Sequence, residues 1–241
     1  MAKLPHITHG FFTRKGGVSS GYYATLNTLE KKTDKPEDVI ENRRRIIEIM
    51  GCEKLHMNYQ THSTAVHHVQ ESSPRLDGDA LITRTPCLLI GVQTADCMPI
   101  LIAHKKEKIV AAIHAGWKGS IHGVIQSTLE ELKKICNLGE LVCAVGPCIG
   151  KKHLEVGEEV YDMAVRLGVS TSNIFQKGQN NKWHLNLRAL AQQILKDSGI
   201  AQIDQIEQNT YDQPETFFSY RRSTHKKEPF CGGQSSVIGI L

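Results

Sequence analysis

The chain has 241 residues, 40% of them apolar and 22% charged, and its 29 Lys and Arg against 25 Asp and Glu give a net charge of +4. This composition is typical of a globular protein and excludes a disordered or collagen-like chain. The basic residues are scattered in pairs, with one triple at Arg43-Arg44-Arg45, whereas a nucleic-acid-binding protein usually concentrates its charge on one face. We therefore expect no nucleic-acid partner.

The cysteines and the apolar segments bear on the cellular compartment. The seven cysteines are odd in number and include no CxxC pair, and the first ten residues contain no apolar leader. Unpatterned cysteines without a secretion signal are typical of free thiols in a reducing cytoplasm. No apolar run approaches the roughly 18 residues of a membrane span. We expect a cytoplasmic protein with no membrane partner.

The first element that the pattern predicts is a helix over Pro36–Met50, where Pro36 suits the first helical position. Its predicted apolar stripe consists of Val39, Ile40, Ile46, Ile47 and Met50. Arg43 shares this stripe, because it lies four residues after Val39 and three before Ile46. A guanidinium that faces a core needs an anionic partner. Arg43 is therefore a candidate anion-binding residue.

The rest of the chain alternates between predicted strands and helices. Short, nearly continuous apolar runs are typical of strands covered on both faces, and they occupy residues 87–92, 98–103 and 109–113. Further strands are predicted over residues 65–69, 141–145 and 235–241. Helices are predicted from a Ser120 cap through Ile135 to near Gly139, and over residues 157–167 and 186–198. Mixed strands with covering helices indicate an α/β or α+β domain, and no linker divides the chain.

Three breaks between these elements carry His62, Cys97 and His114. His62 precedes the strand at 65–69, Cys97 lies between the strands at 87–92 and 98–103, and His114 follows the strand at 109–113. Ligand sites favour the ends of buried strands, and one cysteine with two histidines can hold zinc and leave a fourth position open. The spacing matches no local zinc pattern. A small buried cysteine and two ordinary histidines therefore stay open as the alternative.

The residues after His114 indicate an anion site. Gly116-Trp117-Lys118-Gly119-Ser120 leads directly into a helix, and the free N–H groups at a helix start favour an anion, as does the charge of Lys118. The spacing differs from the GxxxxGK[ST] phosphate-binding loop. Arg14 and Arg221, each beside glycine or aromatic residues, are further candidates, although each alone is more typical of a surface feature.

Ten segments, spread over nearly the whole chain, resemble the YfiH/DUF152 family. This family also carries the labels laccase-domain or polyphenol oxidase proteins and peptidoglycan editing factors, and it includes FAMIN-like purine nucleoside phosphorylases. The most specific segments are TADC at residues 94–97 and HAGW at residues 114–117. The others lie at residues 13–19, 26–27, 41–43, 60–62, 79–83, 145–150, 155–157 and 217–222.

The resemblance implies a single α+β domain over residues 1–241, with mixed sheets covered by outer helices. The family's metal ligands are the His of QxH, the Cys of TADC and the His of HAGW, which fall on His62, Cys97 and His114. The implied metal is zinc, although copper has also been associated with the family. The implied activities are phosphorolysis of adenosine, inosine and methylthioadenosine, and hydrolytic deamination of adenosine.

Three positions depart from the family pattern. Asn209 stands where the family often has Cys, Asn186 where it has Asp, and Gly233 where an Arg often precedes the last strand. None of the three is a metal ligand. The missing Arg puts the substrate range or rate in doubt if that Arg helps to hold phosphate.

The expected partners are purine nucleosides and phosphate, and a homodimer is left open. Phosphate needs cationic or N–H partners. The carboxylates of Asp79 and Asp96 are candidates for proton carriers or for orienters of the histidine ligands. The candidates for binding phosphate or substrate are Arg43, Arg14, Asn27, Gly116, Lys118 and Arg221.

Four alternatives accompany this interpretation. In a metal-free hydrolase or deamidase, Cys97 would be the nucleophile and a histidine its base. A copper-dependent polyphenol oxidase would draw on many histidines, and the sequence contains no His-x-His pair. A structural zinc site usually has four protein ligands, of which three candidates are found. An editing role in the synthesis of peptidoglycan precursors is the fourth alternative.

Overall fold

The computed structural model describes residues 1, 4–30 and 33–241. Within them, thirteen strands form three sheets. The strands are β1 (Ile7–Phe11), β2 (Lys54–His56), β3 (Val66–Val69), β4 (Ala80–Thr83), β5 (Leu88–Thr94), β6 (Met98–His104), β7 (Val110–Ala115), β8 (Leu141–Val145), β9 (Glu155–Val156), β10 (Phe175–Lys177), β11 (Trp183–Leu185), β12 (Gln202–Gln205) and β13 (Gln234–Ile240).

Six α-helices accompany these strands. They are α1 (Pro36–Met50), α2 (Trp117–His122), α3 (Val124–Lys133), α4 (Glu158–Arg166), α5 (Leu187–Asp197) and α6 (Tyr220–His225). The predicted α+β class with mixed sheets and covering helices is confirmed. The predicted bounds of α1 are also confirmed, with Pro36 in its first turn and Gly51 at its end in the left-handed conformation. None of the helices in the described ranges is long and apolar enough to cross a membrane.

The largest sheet has the strand order β12-β8-β6-β7-β4-β3, and a second sheet has the order β1-β13-β5-β2. These two sheets pack face to face, because Leu101 and Ala112 of the larger sheet share one core with Ile90 and Ile238 of the smaller. The opposite face of the larger sheet packs against α2, α3 and α5. Apolar cover on both faces explains why β5, β6 and β7 read as unbroken apolar runs.

The helix that was predicted to begin at a Ser120 cap begins earlier. The structure has Gly116 at the N-cap position, and α2 therefore starts at Trp117. Gly123, with a φ of 100°, ends α2 and separates it from α3. The Ser120 cap and the extension to Gly139 are wrong, because the chain turns helical directly after β7 and α3 stops at Lys133.

The apolar stripe of α1 also differs at one position. Its buried residues are Val39, Asn42, Ile46 and Met50. Ile40 is 68% exposed, so its predicted place in the stripe is wrong. Asn42 takes the inward position instead, and its side-chain amide donates to the carbonyl of Asn27 at 2.7 Å. A buried amide with such partners is as compatible with the inward face as an apolar side chain.

Candidate metal centre

His62, Cys97 and His114 converge at one point of the structure. One donor atom from each residue lies within 4.8 Å of the donor atoms of the other two. His62 is exposed, Cys97 is half-buried and His114 is buried. Three separate segments contribute these donors: the loop before β3, the turn between β5 and β6, and the end of β7. The structure thus brings together the three predicted metal-binding residues.

Strand register explains how Cys97 meets His114. β6 and β7 are antiparallel, with Pro99 opposite His114 and Met98 opposite Ala115. Cys97 is the residue immediately before β6, so this register places it beside the end of β7. Because β5 and β6 belong to different sheets, the turn that holds Cys97 passes from one sheet to the other at the edge of the sandwich.

Asp79 organises the two histidines. Nδ1 of His114 donates to Oδ1 of Asp79 at 2.7 Å, and the backbone N–H of His62 donates to the same oxygen at 3.0 Å. The other carboxylate oxygen accepts from the backbone N–H of Ser63 at 2.7 Å and from its hydroxyl at 2.8 Å. Nδ1 of His114 is thereby committed, which leaves Nε2 as the nitrogen that could hold a metal ion. Asp79 acts by holding other residues, since each of its oxygens already accepts hydrogen bonds.

Burial and charge shift the pKa values of this group. Burial alone would raise the pKa of Asp79, but its hydrogen bonds with His114 and Ser63 hold the pKa well below its usual range. Burial alone would lower the pKa of His114, but Cys97 and Asp79 together raise it to about 9. The pKa of His62 is lowered by the partial desolvation of its ring, although the residue is exposed overall, and by the neighbouring His114. The carboxylate of Asp79 therefore stays ionised beside the two histidines, which is the charge a cation site favours.

Replacing Asp79 by asparagine is expected to weaken both the fold and the metal centre. An amide would turn an N–H group toward the donors of His62, Ser63 or His114, leaving buried hydrogen-bonding groups unpaired. We expect a loss of about 2–4 kcal/mol in the free energy of unfolding and a loss of roughly 10–100-fold in zinc affinity. Denaturant unfolding and zinc competition with a chelating dye measure the two effects.

The matched control is Asp77→Asn, which makes the same chemical change at an exposed position two residues away. It should leave both quantities within about 0.5 kcal/mol of the wild type. Equal behaviour of the two variants would contradict the positioning role of Asp79.

Gly116 lets the backbone approach the donor atoms. A Cβ at this position would lie 2.7 Å from Nδ1 of His62 and 2.9 Å from Sγ of Cys97. Both distances are shorter than van der Waals contact. The glycine predicted to belong to an anion-binding turn therefore provides clearance for two side chains of the candidate metal centre.

The donor set fits zinc. Zinc binds imidazole nitrogen and thiolate sulfur, and sites with three protein ligands leave a position for substrate or water. The absence of a side chain at Gly116 fits such a site, because a Cβ there would fill the space beside the donor atoms of His62 and Cys97. The residues that would hold the ion are thus His62, Cys97 and His114.

A cleft of about 480 Å³ opens beside these donors, a size typical of small-molecule sites. Its apolar residues are Leu29, Trp117, Ile149, Leu154 and Leu187, and its polar residues include Gln60, Gln93, Asp96, Tyr220 and Arg221. Most of these lining residues were not predicted. Gln60 and Trp117 lie within three residues of a histidine of the candidate metal centre, so proximity in sequence could have identified them.

The glutamine wall of the cleft is built by reciprocal hydrogen bonds. Gln60 donates its side-chain amide to the carbonyl of Gln93 at 2.7 Å, and its side-chain oxygen accepts from the backbone N–H of Gln93 at 2.7 Å. The side-chain amide of Gln93 in turn donates to the carbonyl of Thr28. These bonds hold the segment before His62 against the end of β5.

Asp96 lies in the cleft wall and connects three segments. Its carboxylate accepts from the hydroxyl of Thr210 at 2.6 Å and from the backbone N–H of Arg221 at 2.6 Å. Its carbonyl accepts from the N–H of Ile149 at 3.0 Å. Asp96 therefore positions Arg221 and the turn that carries Cys97.

Two of the predicted anion-binding side chains lie at or near the cleft. Arg221 lines it, and its guanidinium donates to the carbonyl of Glu155 at 3.1 Å. Lys118 is exposed in the first turn of α2, and its charge contributes to the lowered pKa of His62. Of the predicted anion-binding cations, Arg221 is thus the one that lines the cleft.

Arg43 is not among the residues that line the cleft. Its guanidinium donates to the carbonyl of Thr28 at 3.1 and 2.8 Å and pairs with Glu30. The same Thr28 carbonyl accepts from Gln93. The predicted inward direction and anionic partner of Arg43 are present, but the partner is a carboxylate of the chain itself.

Asn27 and Arg14 also lie outside the cleft lining. Asn27 is fully buried and donates to the carboxylate of Asp34 at 2.7 Å. Its side-chain oxygen accepts from the N–H of Gly233 at 2.9 Å. Arg14 lies over the ring of Phe218, 4.5 Å from the centroid. Asn27 thus makes hydrogen bonds within the chain, and Arg14 packs on an aromatic ring. Neither of these two predicted substrate-binding residues lines the cleft.

Comparison with known proteins gives a consistent result. The family model described as multi-copper polyphenol oxidoreductase laccase matches residues 8–241. A purine nucleoside phosphorylase of Deinococcus radiodurans is 34% identical over 97% of this chain and 89% of its own length. The purine nucleoside phosphorylase YfiH of Escherichia coli is 33% identical over 95% of this chain and 92% of its own.

A solved structure shows the same fold. The crystal structure of a DUF152 family protein of Neisseria meningitidis has a TM-score of 0.89 to this chain at 32% identity. The likeness covers 98% of this chain and 95% of that protein.

Proposed function

Because this chain belongs to the YfiH/DUF152 family of laccase-like proteins, we propose that it is a zinc-dependent purine nucleoside phosphorylase. Its proposed substrates are adenosine, inosine and methylthioadenosine, with hydrolytic deamination of adenosine as a second reaction. The observation that carries the proposal is the convergence of His62, Cys97 and His114 beside a cleft of nucleoside size. The similarity to purine nucleoside phosphorylases supports the phosphorolytic reaction.

The cleft residues divide into groups suited to the two substrates. Trp117, Leu154 and Leu187 offer apolar surface for the faces of a purine. Gln60 and Gln93 carry polar groups, although their mutual bonds already engage several of them. Arg221 is the cation that would bind a phosphate oxygen. Bound zinc would supply a Lewis acid beside the substrate.

Phosphorolysis exchanges one bond of the ribose for another. A phosphate oxygen forms a bond to C1′ as the bond from C1′ to the purine nitrogen breaks. The bonding electrons leave with the purine, which takes up the proton that phosphate loses, and the products are the free base and ribose 1-phosphate. Arg221 would orient the attacking phosphate, and Asp96 would hold Arg221 through its backbone N–H. Correct orientation of two bound reactants supplies much of the catalysis in such reactions.

Deamination would use the same cleft with water in place of phosphate. Water adds to C6 of adenosine, ammonia leaves, and inosine is formed. A purine bound against Trp117 would have to present C6 near His62, Cys97 and His114 for this reaction. Phosphorolysis requires C1′ near the bound phosphate instead. The two reactions therefore require different placements of the nucleoside, and their rates should respond differently to phosphate.

The central experiment is an assay of zinc-loaded protein with adenosine, with and without phosphate. We expect adenine to form only when phosphate is present, with an equal amount of ribose 1-phosphate, and inosine to form in both conditions. Chromatography follows all three products. Absence of phosphate-dependent adenine from zinc-loaded protein would overturn the phosphorylase, and absence of inosine would overturn the deaminase.

The description of the matching family model favours copper-dependent phenol oxidation as a second candidate. In the residues that the structure describes, one group of His, Cys, Asp and Glu side chains has the spacing of a metal site, and it offers three donors. A multi-copper centre needs several such groups. Copper-loaded protein incubated with a phenol under oxygen tests this candidate, and turnover exceeding that with nucleosides would favour it.

The proximity of Cys97 to His114 favours one further candidate, a metal-free cysteine hydrolase. Elemental analysis and alkylation distinguish it from the zinc enzyme. Bound zinc should protect Cys97 and make alkylation slow. Metal-free protein with rapid alkylation near neutral pH would favour the hydrolase.

A further inference from the structure

A second cavity, of about 460 Å³, lies beside α6. α6 contributes to both cavities, since Arg221 lines the metal cleft whereas Arg222 and Ser223 line this second cavity. Arg14 also lines this second cavity. None of the three donors of the candidate metal centre lines it. It is therefore a separate compartment, and the proposed reaction makes no use of it.

Two guanidinium groups share this cavity without a carboxylate partner. Arg222 is only 8% exposed, and it donates to the carbonyls of Thr210 and Phe217, both at 2.6 Å. Arg14 donates to the carbonyls of Ala24 at 2.7 Å and Pro214 at 2.9 Å. Throughout the described ranges, neither arginine forms a salt bridge.

Adjacent like charges in a partly buried space are unfavourable unless an anion offsets them. Burial and the charge of Arg222 lower the pKa of Arg14, and the charges of Cys231, Glu215 and Glu228 offset this only in part. Lys15 and Lys226 add two exposed cations to the lining, against the carboxylates of Glu215 and Glu228. The lining thus has four cations against two anions.

Donor groups stay available on both arginines. The hydrogen bonds of Arg14 use Nε and Nη1, and those of Arg222 use Nη1, Nη2 and its backbone N–H. Nη2 of Arg14 and Nε of Arg222 therefore have no hydrogen-bond acceptor within the part of the chain described. Guanidinium N–H groups bind phosphate oxygens with good geometry. The existing carbonyl bonds hold both side chains in place, so little ordering would accompany binding.

We propose that this cavity is an anion site for a small phosphorylated molecule of the size of a nucleoside monophosphate. Its phosphate lies between Arg14 and Arg222, and its ring packs against Tyr22, which lines the cavity and is 47% exposed. The volume exceeds what a bare phosphate ion fills and falls in the range of small-molecule sites. Inorganic phosphate shares the binding chemistry but lacks the ring.

Calorimetric titration of zinc-loaded protein with adenosine monophosphate, and separately with inorganic phosphate, tests this site. The primary variant is Lys15→Glu combined with Lys226→Glu, since both side chains are exposed and their amino groups form no hydrogen bond in the described part of the chain. We expect adenosine monophosphate to bind at least about tenfold more weakly to this variant. The nucleotide should bind more tightly than inorganic phosphate, because only the nucleotide contacts Tyr22.

Two controls separate this site from the metal cleft. Lys106→Glu combined with Lys108→Glu makes the same charge change at exposed positions away from the cavity, and it should leave the affinity unchanged. Cys97→Ser should also retain the binding, whether or not the proposed nucleoside chemistry is correct. Equal weakening by both lysine pairs, or loss of binding in Cys97→Ser, would overturn the second site. Tighter binding of phosphate than of the nucleotide would overturn the nucleotide class.

Discussion

Replacing Cys97 by serine is expected to abolish zinc binding and, with it, nucleoside turnover. A serine hydroxyl is a poor zinc ligand, and the remaining imidazoles of His62 and His114 hold the ion weakly. Loss of a residue that hydrogen-bonds to a ligand, as Asp79 does to His114, typically lowers metal affinity about 10–100-fold. Loss of a direct ligand should therefore lower zinc affinity by more than about 100-fold. Elemental analysis of the purified variant and the adenosine assay measure the two consequences together.

The control for this substitution is Cys136→Ser. Cys136 follows α3, and its thiol contacts the carbonyl of Leu132 at 3.4 Å, with no role in the metal centre. Zinc content and turnover should match the wild type in this variant. Full zinc content in Cys97→Ser would show that the ion lies elsewhere. Zinc loss with undiminished turnover would show that the reaction does not need the ion.

Replacing Gly116 by alanine should have the second largest effect. The added methyl would overlap Nδ1 of His62 and Sγ of Cys97, at 2.7 and 2.9 Å, so both side chains must move apart. Displacement of two donors from a common ion should lower zinc affinity by more than about 100-fold. This exceeds the effect expected for loss of a residue that only orients a ligand, such as Asp79. The backbone of Gly116 has a φ of −70°, which alanine adopts freely. The effect should therefore appear in zinc competition far more than in apo-protein unfolding.

Gly139→Ala is the matched control for this substitution. The nearest atom to a Cβ at Gly139 is the side-chain oxygen of Asn137 at 3.4 Å, an ordinary contact. This variant should bind zinc like the wild type. Normal zinc affinity in Gly116→Ala would contradict the close approach of backbone and donors that the structure shows.

Local pattern predicted α1, whose apolar residues follow a helical period, and the strands that are covered on both faces, whose apolar residues form nearly continuous runs. α1 has its predicted bounds, and the apolar runs of β5, β6 and β7 are strands covered on both faces. The prediction of a helix cap at Ser120 was wrong because a helix capped by Gly116 already begins at Trp117, directly after β7. A serine within a helix has the same local signature as a serine that starts one, so only the course of the chain after β7 distinguishes them.

The role of Arg43 could be predicted only in part from the sequence. Helical spacing predicts that its side chain turns inward and needs an anion, and the structure agrees on both points. Spacing cannot tell whether that anion is a ligand or a carboxylate of the same chain. Glu30 lies thirteen residues earlier in sequence, and its position depends on the loop before α1.

The residue types of the candidate site and the main elements that carry them could be predicted from the chain, because apolar patterning and the TADC and HAGW segments are local properties. The contacts of the folded chain were needed to show that Cys97 and His114 lie side by side and that the carboxylate of Asp79 holds both histidines. They were also needed to show that Arg221 lines the cleft whereas Arg14 lines a second cavity. Strand register and the direction of long side chains depend on partners far away in sequence. No local pattern records these partners.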